Sequence, residues 1–284
     1  MRYFLVDNGS LRAESILNLR RVARKLGEVT GMEILPASLL HSSKVPADQL
    51  EGEEAVNLER RLRRFLEAGE REFTVIPFFF GPTGAITDYL PERLAYRRDR
   101  HGPFKIWRTP FLFAGKDGSA AVPEAPGHGA DLAGILAERI RERTQEGSTG
   151  RAKVVLVDHG SPKREVAAVR DYLRDELERL LGKEVEALAA ASMERREGDT
   201  YAFNEPLLER KLAESGWQSG EVVISMLFLS PGRHAGPGGD IAHICSEAER
   251  ANPGLKTQMT DLVGDHPGIV PILEKRLRME RVEL

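Results

Sequence analysis

Apolar residues recur along this chain in two rhythms. Short continuous runs such as YFLVD (3–7), FTVIPFFF (73–80), VVLVD (154–158) and VVISMLFL (222–229) have the length of strands and no polar face. A strand apolar on both sides belongs in a parallel sheet covered by helices. Between these runs the spacing changes to that of amphipathic helices. Ile16, Leu19, Ala23 and Leu26 recur at helical intervals up to Gly27, and Val166, Val169, Leu173, Leu177 and Leu180 do so up to Gly182. Shorter apolar segments follow each helix, MEILPASLL (32–40) and VEALAAASM (185–193). Second helices then carry Val56, Leu58, Leu62, Phe65 and Leu66, or Leu207, Leu208 and Leu212. Third helices are predicted around 88–96 and 240–250. The two series close alike, with IWRTPFLFAG (106–115) against LKTQMTDLVG (255–264), and DLAGILAERIRER (131–143) against GIVPILEKRLRME (268–280).

The pattern is an internal repeat. Strand and helix alternate four times in each half, which predicts two similar doubly wound α/β domains. Each would hold a parallel four-stranded sheet with helices on both faces. The expected bounds are 1–146 and 151–284, joined by the polar stretch TQEGSTG (144–150). One large continuous sheet is the alternative.

Composition narrows the class. The chain of 284 residues is 41% hydrophobic and 30% charged, ordinary for a soluble globular protein. A net charge of -3 gives no global basic field to recruit nucleic acid or an anionic membrane. The single cysteine, Cys245, excludes an intramolecular disulfide and suits a reducing cytoplasm. No signal peptide and no apolar run of membrane-spanning length is visible.

Candidate chemistry gathers in the second half. Ligands of open parallel sheets bind beyond the carboxyl ends of the strands. The first strand of this half ends in DHGS (158–161), the second in SMERREG (192–198) and the third in FLSPGRHAGPGGDI (228–241). His159, Glu194 and His234 are thereby expected on one rim. Two imidazoles and a carboxylate suit a divalent metal of the iron, cobalt or zinc type, and they suit proton transfer near neutral pH. Ser161 lacks a nucleophile-elbow setting and reads as a cap for the helix starting at Pro162. Neither a Walker loop nor a dinucleotide fingerprint is present, so no nucleotide is implied. In the first half Asn8 stands where His159 does, and Ala85 where His234 does. His41 falls roughly opposite Glu194. The repeat reads as a duplication that lost its ligand set in one copy.

DHGS, FLSPGRHAG and the closing TDLVGDHPGIVPILEKRL (260–277) resemble the sirohydrochlorin chelatases of the CbiX/SirB type, class II chelatases. The resemblance spans both halves, strongly in 151–284 and in degraded form in 1–150. It implies a chelatase-like fold of two α/β domains enclosing a cleft. It implies ATP-independent insertion of cobalt or iron, as substrate, into sirohydrochlorin, within cobalamin or siroheme biosynthesis. His159 and His234 match the family's paired metal-binding histidines, with Glu194 as a third catalytic residue. Arg233, Ser161, Ser230 and Gly232 would line the substrate site. Arg195, Arg196, Lys163 and Arg164 are further candidates for the macrocycle's carboxylates. The expected chain is a cytoplasmic monomer or homodimer without nucleic-acid or membrane partners. A non-catalytic tetrapyrrole- or metal-binding descendant is the alternative.

Overall fold

The computed structural model describes residues 1–114, 130–144 and 151–284. The first half runs β1 (Arg2–Asp7), α1 (Ala13–Thr30), β2 (Ile34–Ser38), α2 (Leu58–Glu67), β3 (Glu72–Pro77), α3 (Leu90–His101), β4 (Lys105–Arg108) and α4 (Ala130–Thr144). The second runs β5 (Lys153–Asp158), α5 (Arg164–Leu181), β6 (Ala187–Ser192), α6 (Leu208–Ala213), β7 (Gly220–Met226), α7 (Asp240–Ala251), β8 (Leu255–Met259), α8 (Ile269–Leu277) and β9 (Val282–Glu283). This is the α/β architecture that the continuous apolar runs predict, with two sheets rather than one.

The sheets share one order, β2-β1-β3-β4 and β6-β5-β7-β8, with these strands parallel throughout. The registers also correspond. Asp7 lies beside Ser38 as Asp158 lies beside Ser192, and Val6 beside Pro77 as Val157 beside Met226. Central strands are sealed on both faces: Phe4 to Val6 and Val154 to Val157 are fully buried. Each such side chain contributes roughly 1.5–3 kcal/mol by leaving water, which is why these runs carry no polar face.

Two features depart from the sequence reading. The first sheet has a fifth strand, the two-residue β9, antiparallel to β4. Helix α1 also continues past Gly27 to Thr30, where Gly31 in the left-handed region closes it and donates to Gly27 O.

The domain bounds differ as well. One compact unit holds the described residues of Met1–Ala121 together with Pro267–Leu284, and the other those of Val122–His266. Bounds at 146 and 151 therefore do not follow the packing, since the closing helix of each half packs in the unit of the other. In the first unit, α8 lies on α1 and β3. Its buried Arg276 donates to Phe111 O at 2.9 Å and Leu112 O at 2.8 Å. In the second unit, α4 lies on α5 and β7. There Arg139 meets Asp265 at 2.7 Å and Arg143 meets Asp261 at 2.9 Å. Apart from Thr144, the expected linker lies outside the described residues. Among the described residues, no helix is long and apolar enough to cross a membrane.

Candidate active site

From β5 the chain moves outward to β6 and then returns to the other side of β5 as β7. The strand order thus reverses between β5 and β7, and the crevice at their carboxyl ends is where such sheets bind ligands. His159 follows β5 directly, and His234 sits on the loop after β7. Their rings meet edge to face, with centroids 4.6 Å apart. Glu194, two residues past β6, brings Oε1 to 3.5 Å from His159 Nε2. The structure therefore brings together the three residues that the sequence placed on one rim.

The turn that carries His159 is fixed by close backbone approach. Gly160 has φ +89°, and a Cβ there would lie 1.9 Å from Glu194 O. Glu194 N in turn donates to His159 O at 3.1 Å. Only glycine permits this contact, and it sets Glu194 beside His159.

Each imidazole is oriented by a second group. His159 Nδ1 lies 3.0 Å from Gly160 O, and a carbonyl can only accept. Nδ1 therefore carries the hydrogen, and Nε2 of the neutral ring presents a lone pair. His234 Nδ1 lies 2.7 Å from Asp240 Oδ2, which assigns the same tautomer. Both rings thus offer Nε2, and the Asp240 contact is the orienting partner that metal-ligating histidines commonly have. Asp240 opens α7, and Gly239 allows the loop to fold back, since a Cβ there would lie 2.9 Å from His234 O. His159 is 45% exposed and His234 29%, so both can be reached from solvent.

Beneath the rim lies a buried polar network. The Asp158 carboxyl accepts from Gly160 N at 3.2 Å and Ser192 Oγ at 2.6 Å. The buried Arg170 guanidinium lies 3.7 Å from it and also donates to Ser192 Oγ. Burial raises the Asp158 pKa, opposed by Arg170, the Ser192 hydroxyl and the Gly160 N–H.

The other predicted residues fall on the same loops with different surroundings. Arg233 is 83% exposed and only 3.7 Å from Asp240, an arrangement that leaves its guanidinium open to a ligand carboxylate. Arg195 is paired with Glu205 at 3.0 Å. Arg164 lies over the Phe203 ring and Arg196 over Tyr201. Ser230 and Gly232 are half-buried on the loop after β7, where Gly232 N donates to Ala235 O. Ser161 does not cap α5. That helix starts at Arg164 with Lys163 as its N-cap residue, and no side chain caps it. Ser161 Oγ instead accepts from Lys163 N, while its N–H and C=O pair with the Asn204 amide.

Among the described residues, the first unit lacks this constellation. Register places Asn8 where His159 stands, and counting on from the corresponding Pro77 and Met226 sets Ala85 at the position of His234. A single π turn at Ala85–Tyr89 leads into α3, in place of the loop before α7. The residue opposite Glu194 is Leu40 rather than His41. Leu40 N donates to Asn8 O, and Leu40 O is the atom that a Cβ on Gly9 would meet.

Sequence reasoning overlooked three contributors: Asp240, Arg170 and Asn204. An Asp at a helix start six residues past a histidine was a visible signal for the first. The other two carried none, because a lone Arg or Asn on an amphipathic stretch reads as solvated surface.

A family model described as CbiX matches residues 153–280. That segment, somewhat less than half of the chain, is similar to the CbiX family. Solved structures extend the likeness of fold to the whole chain. SirB from Bacillus subtilis with Fe3+ matches at a TM-score of 0.66 and 13% identity, covering 98% of this chain and 95% of that one. SirB from Bacillus subtilis subspecies spizizenii with cobalt, described as a sirohydrochlorin chelatase, gives 0.65 and 14%, covering 98% and 94%. A CbiX described as the terminal enzyme for biosynthesis of siroheme in denitrifying bacteria gives 0.59 and 13%, covering 98% of both chains. No curated protein sequence matches the chain. The CbiX segment contains His159, Glu194, Arg233, His234 and Asp240.

Among the described residues, no group of three or more His, Cys, Asp or Glu side chains is arranged to hold a metal ion. A resident structural metal takes a closed set of about four ligands, whereas a set with open positions lets ligands exchange. His159, His234 and Glu194 lie side by side on a rim reached from solvent, without such a closed set.

Proposed function

We propose that the chain inserts a divalent metal, cobalt(II) or iron(II), into sirohydrochlorin without a nucleotide. The reaction replaces two pyrrole N–H protons by one M²⁺, so the site must hold a partly dehydrated ion and accept protons. Neutral imidazoles do both. His159 and His234 hold the ion through Nε2, and as the ion passes to the macrocycle the freed Nε2 lone pairs take up the two leaving protons. Glu194, at the open edge beside His159, passes protons to solvent. Arg233 pairs with a carboxylate of the macrocycle, with Ser161, Ser230 and Gly232 lining the same rim. Cobalt stands slightly before iron. The setting is a cytoplasmic tetrapyrrole pathway leading to cobalamin or siroheme, with the chain as monomer or homodimer.

The observation that carries this reading is the edge-to-face histidine pair at the β5/β7 switch point, each ring held by its Nδ1 so that Nε2 is offered. The matched CbiX segment supports it. The test is anaerobic incubation of sirohydrochlorin with cobalt(II), iron(II) or nickel(II), with and without protein, followed by absorbance. Protein-dependent acceleration with cobalt or iron is expected. Tight tetrapyrrole binding without acceleration by any metal would replace the enzyme with a non-catalytic binding protein.

A further inference from the structure

We propose that Arg170 is a positioning residue, whose buried guanidinium holds the His159 turn and the Glu194 strand end in one geometry. The proposal rests on the functional reading above and adds a residue that makes no contact with the ion or the macrocycle.

Arg170 lies on α5, deep beneath the site, and is 2% exposed. One guanidinium reaches three separate segments. It donates to Ser192 Oγ at the end of β6, to Phe203 O at 3.0 Å and Asn204 O at 3.4 Å in the following turn, and to Asp171 at 2.7 Å on its own helix. Two of these segments then act on the rim. Ser192 donates to Asp158, which accepts the Gly160 N–H of the His159 turn. Asn204 clasps both backbone groups of Ser161. The fork of donors on a planar guanidinium makes this bridging possible, and a lysine ammonium would lack it.

The chain contains its own comparison. Counting from the aligned Asp7 and Asp158, the position of Arg170 is taken in the first half by Leu19, which is equally buried. Asp7, Gly9 and Ser38 match Asp158, Gly160 and Ser192, yet among the described residues no arginine is bonded to Ser38. Asp7 Oδ1 is buried without a hydrogen-bond partner. The half without the arginine is the half without the histidines. The fold therefore accommodates a leucine here, and what Arg170 adds serves the rim.

The test compares full-length wild type, Arg170→Leu, Arg170→Leu with Asp158→Asn, Arg170→Lys and His159→Ala. The double variant removes the counter-charge that Arg170→Leu would leave buried. Circular dichroism and urea unfolding report folding. The visible absorption of bound cobalt(II) reports ligand geometry, whether or not insertion occurs. Steady-state insertion separates KM for metal from kcat. We expect folded Arg170→Leu variants to show an altered cobalt band and a metal KM raised about 10-fold or more, the scale of outer-shell losses. Arg170→Lys should fall between these and wild type. The proposal is overturned if folded variants keep the wild-type band and metal KM, or lose kcat only in proportion to lost folded protein. It is also overturned if all three Arg170 variants unfold, which would make the residue one of stability. Wild-type insertion by His159→Ala would instead remove the functional reading, while the cobalt band would still decide the role of Arg170.

Discussion

Replacing Asp7 by asparagine should stabilise this protein near neutral pH and change little in acid. The Asp7 carboxyl sits at the end of β1, 8% exposed, with Oδ1 lacking a partner. Burial pushes its pKa from an ordinary 3.8 up to about 6, only partly opposed by the Ser38 hydroxyl and the Gly9 N–H. The folded state therefore binds the proton more tightly than the unfolded chain does. Stability from this group is fully present below about pH 4, declines through the interval up to about 6, and is absent above it. A rise of roughly two units is worth about 3 kcal/mol. Asparagine keeps an acceptor oxygen and carries no charge, so Asp7→Asn should gain about 2–3 kcal/mol at pH 7.5 and nearly nothing at pH 4. Urea unfolding of both proteins across this range gives the difference directly, and other titrating groups cancel. A variant less stable than wild type at pH 7.5, or offset equally at both ends, would refute the reasoning, because it would mean that the native carboxylate is well solvated or paired.

Two further predictions concern the rim and one the end of α1. Gly160→Ala places a methyl 1.9 Å from Glu194 O at a φ of +89°, so it should cost at least about 3 kcal/mol of stability, from overpacking and left-handed strain together. Gly31→Ala, at a φ of +69° with open space around it, should lose only about 1–2 kcal/mol in the same unfolding assay. Asp240→Ala should weaken cobalt(II) binding about 10–100-fold and Asp240→Asn less, because the amide oxygen can still accept from His234 Nδ1; a cobalt titration with equal affinities would remove the orienting role.

What was legible in the sequence has a physical cause. Strands buried on both faces leave continuous apolar runs, so β1, β3, β5 and β7 and their repeat were plain. Residues just past a parallel strand must emerge at one edge, so His159, Glu194 and His234 could be placed together without coordinates. Other features left no such mark. An amphipathic helix shows which face it buries but not against what, and so the exchange of α4 and α8 between the units was not readable. The two residues of β9 are too few for a period. His41 was set opposite Glu194 one residue off, because the true partner, Leu40, is chosen by the close approach of Gly9. Ser161 looked like a helix cap and is a turn residue clasped by Asn204, some 40 positions away, a pairing set by the fold. Arg170 carried no signal, since its burial depends on three segments distant in sequence.

The central claim is that metal insertion is carried out by the histidine pair of the CbiX segment. The most direct measurement is the rate of cobalt(II) insertion into sirohydrochlorin by wild type, His159→Ala, His234→Ala and Asn8→Ala at one pH above the histidine range. Loss of protein-dependent insertion in both histidine variants, with near-wild-type rates for Asn8→Ala, is the predicted result. Full activity in both histidine variants, or loss in Asn8→Ala alone, would contradict it.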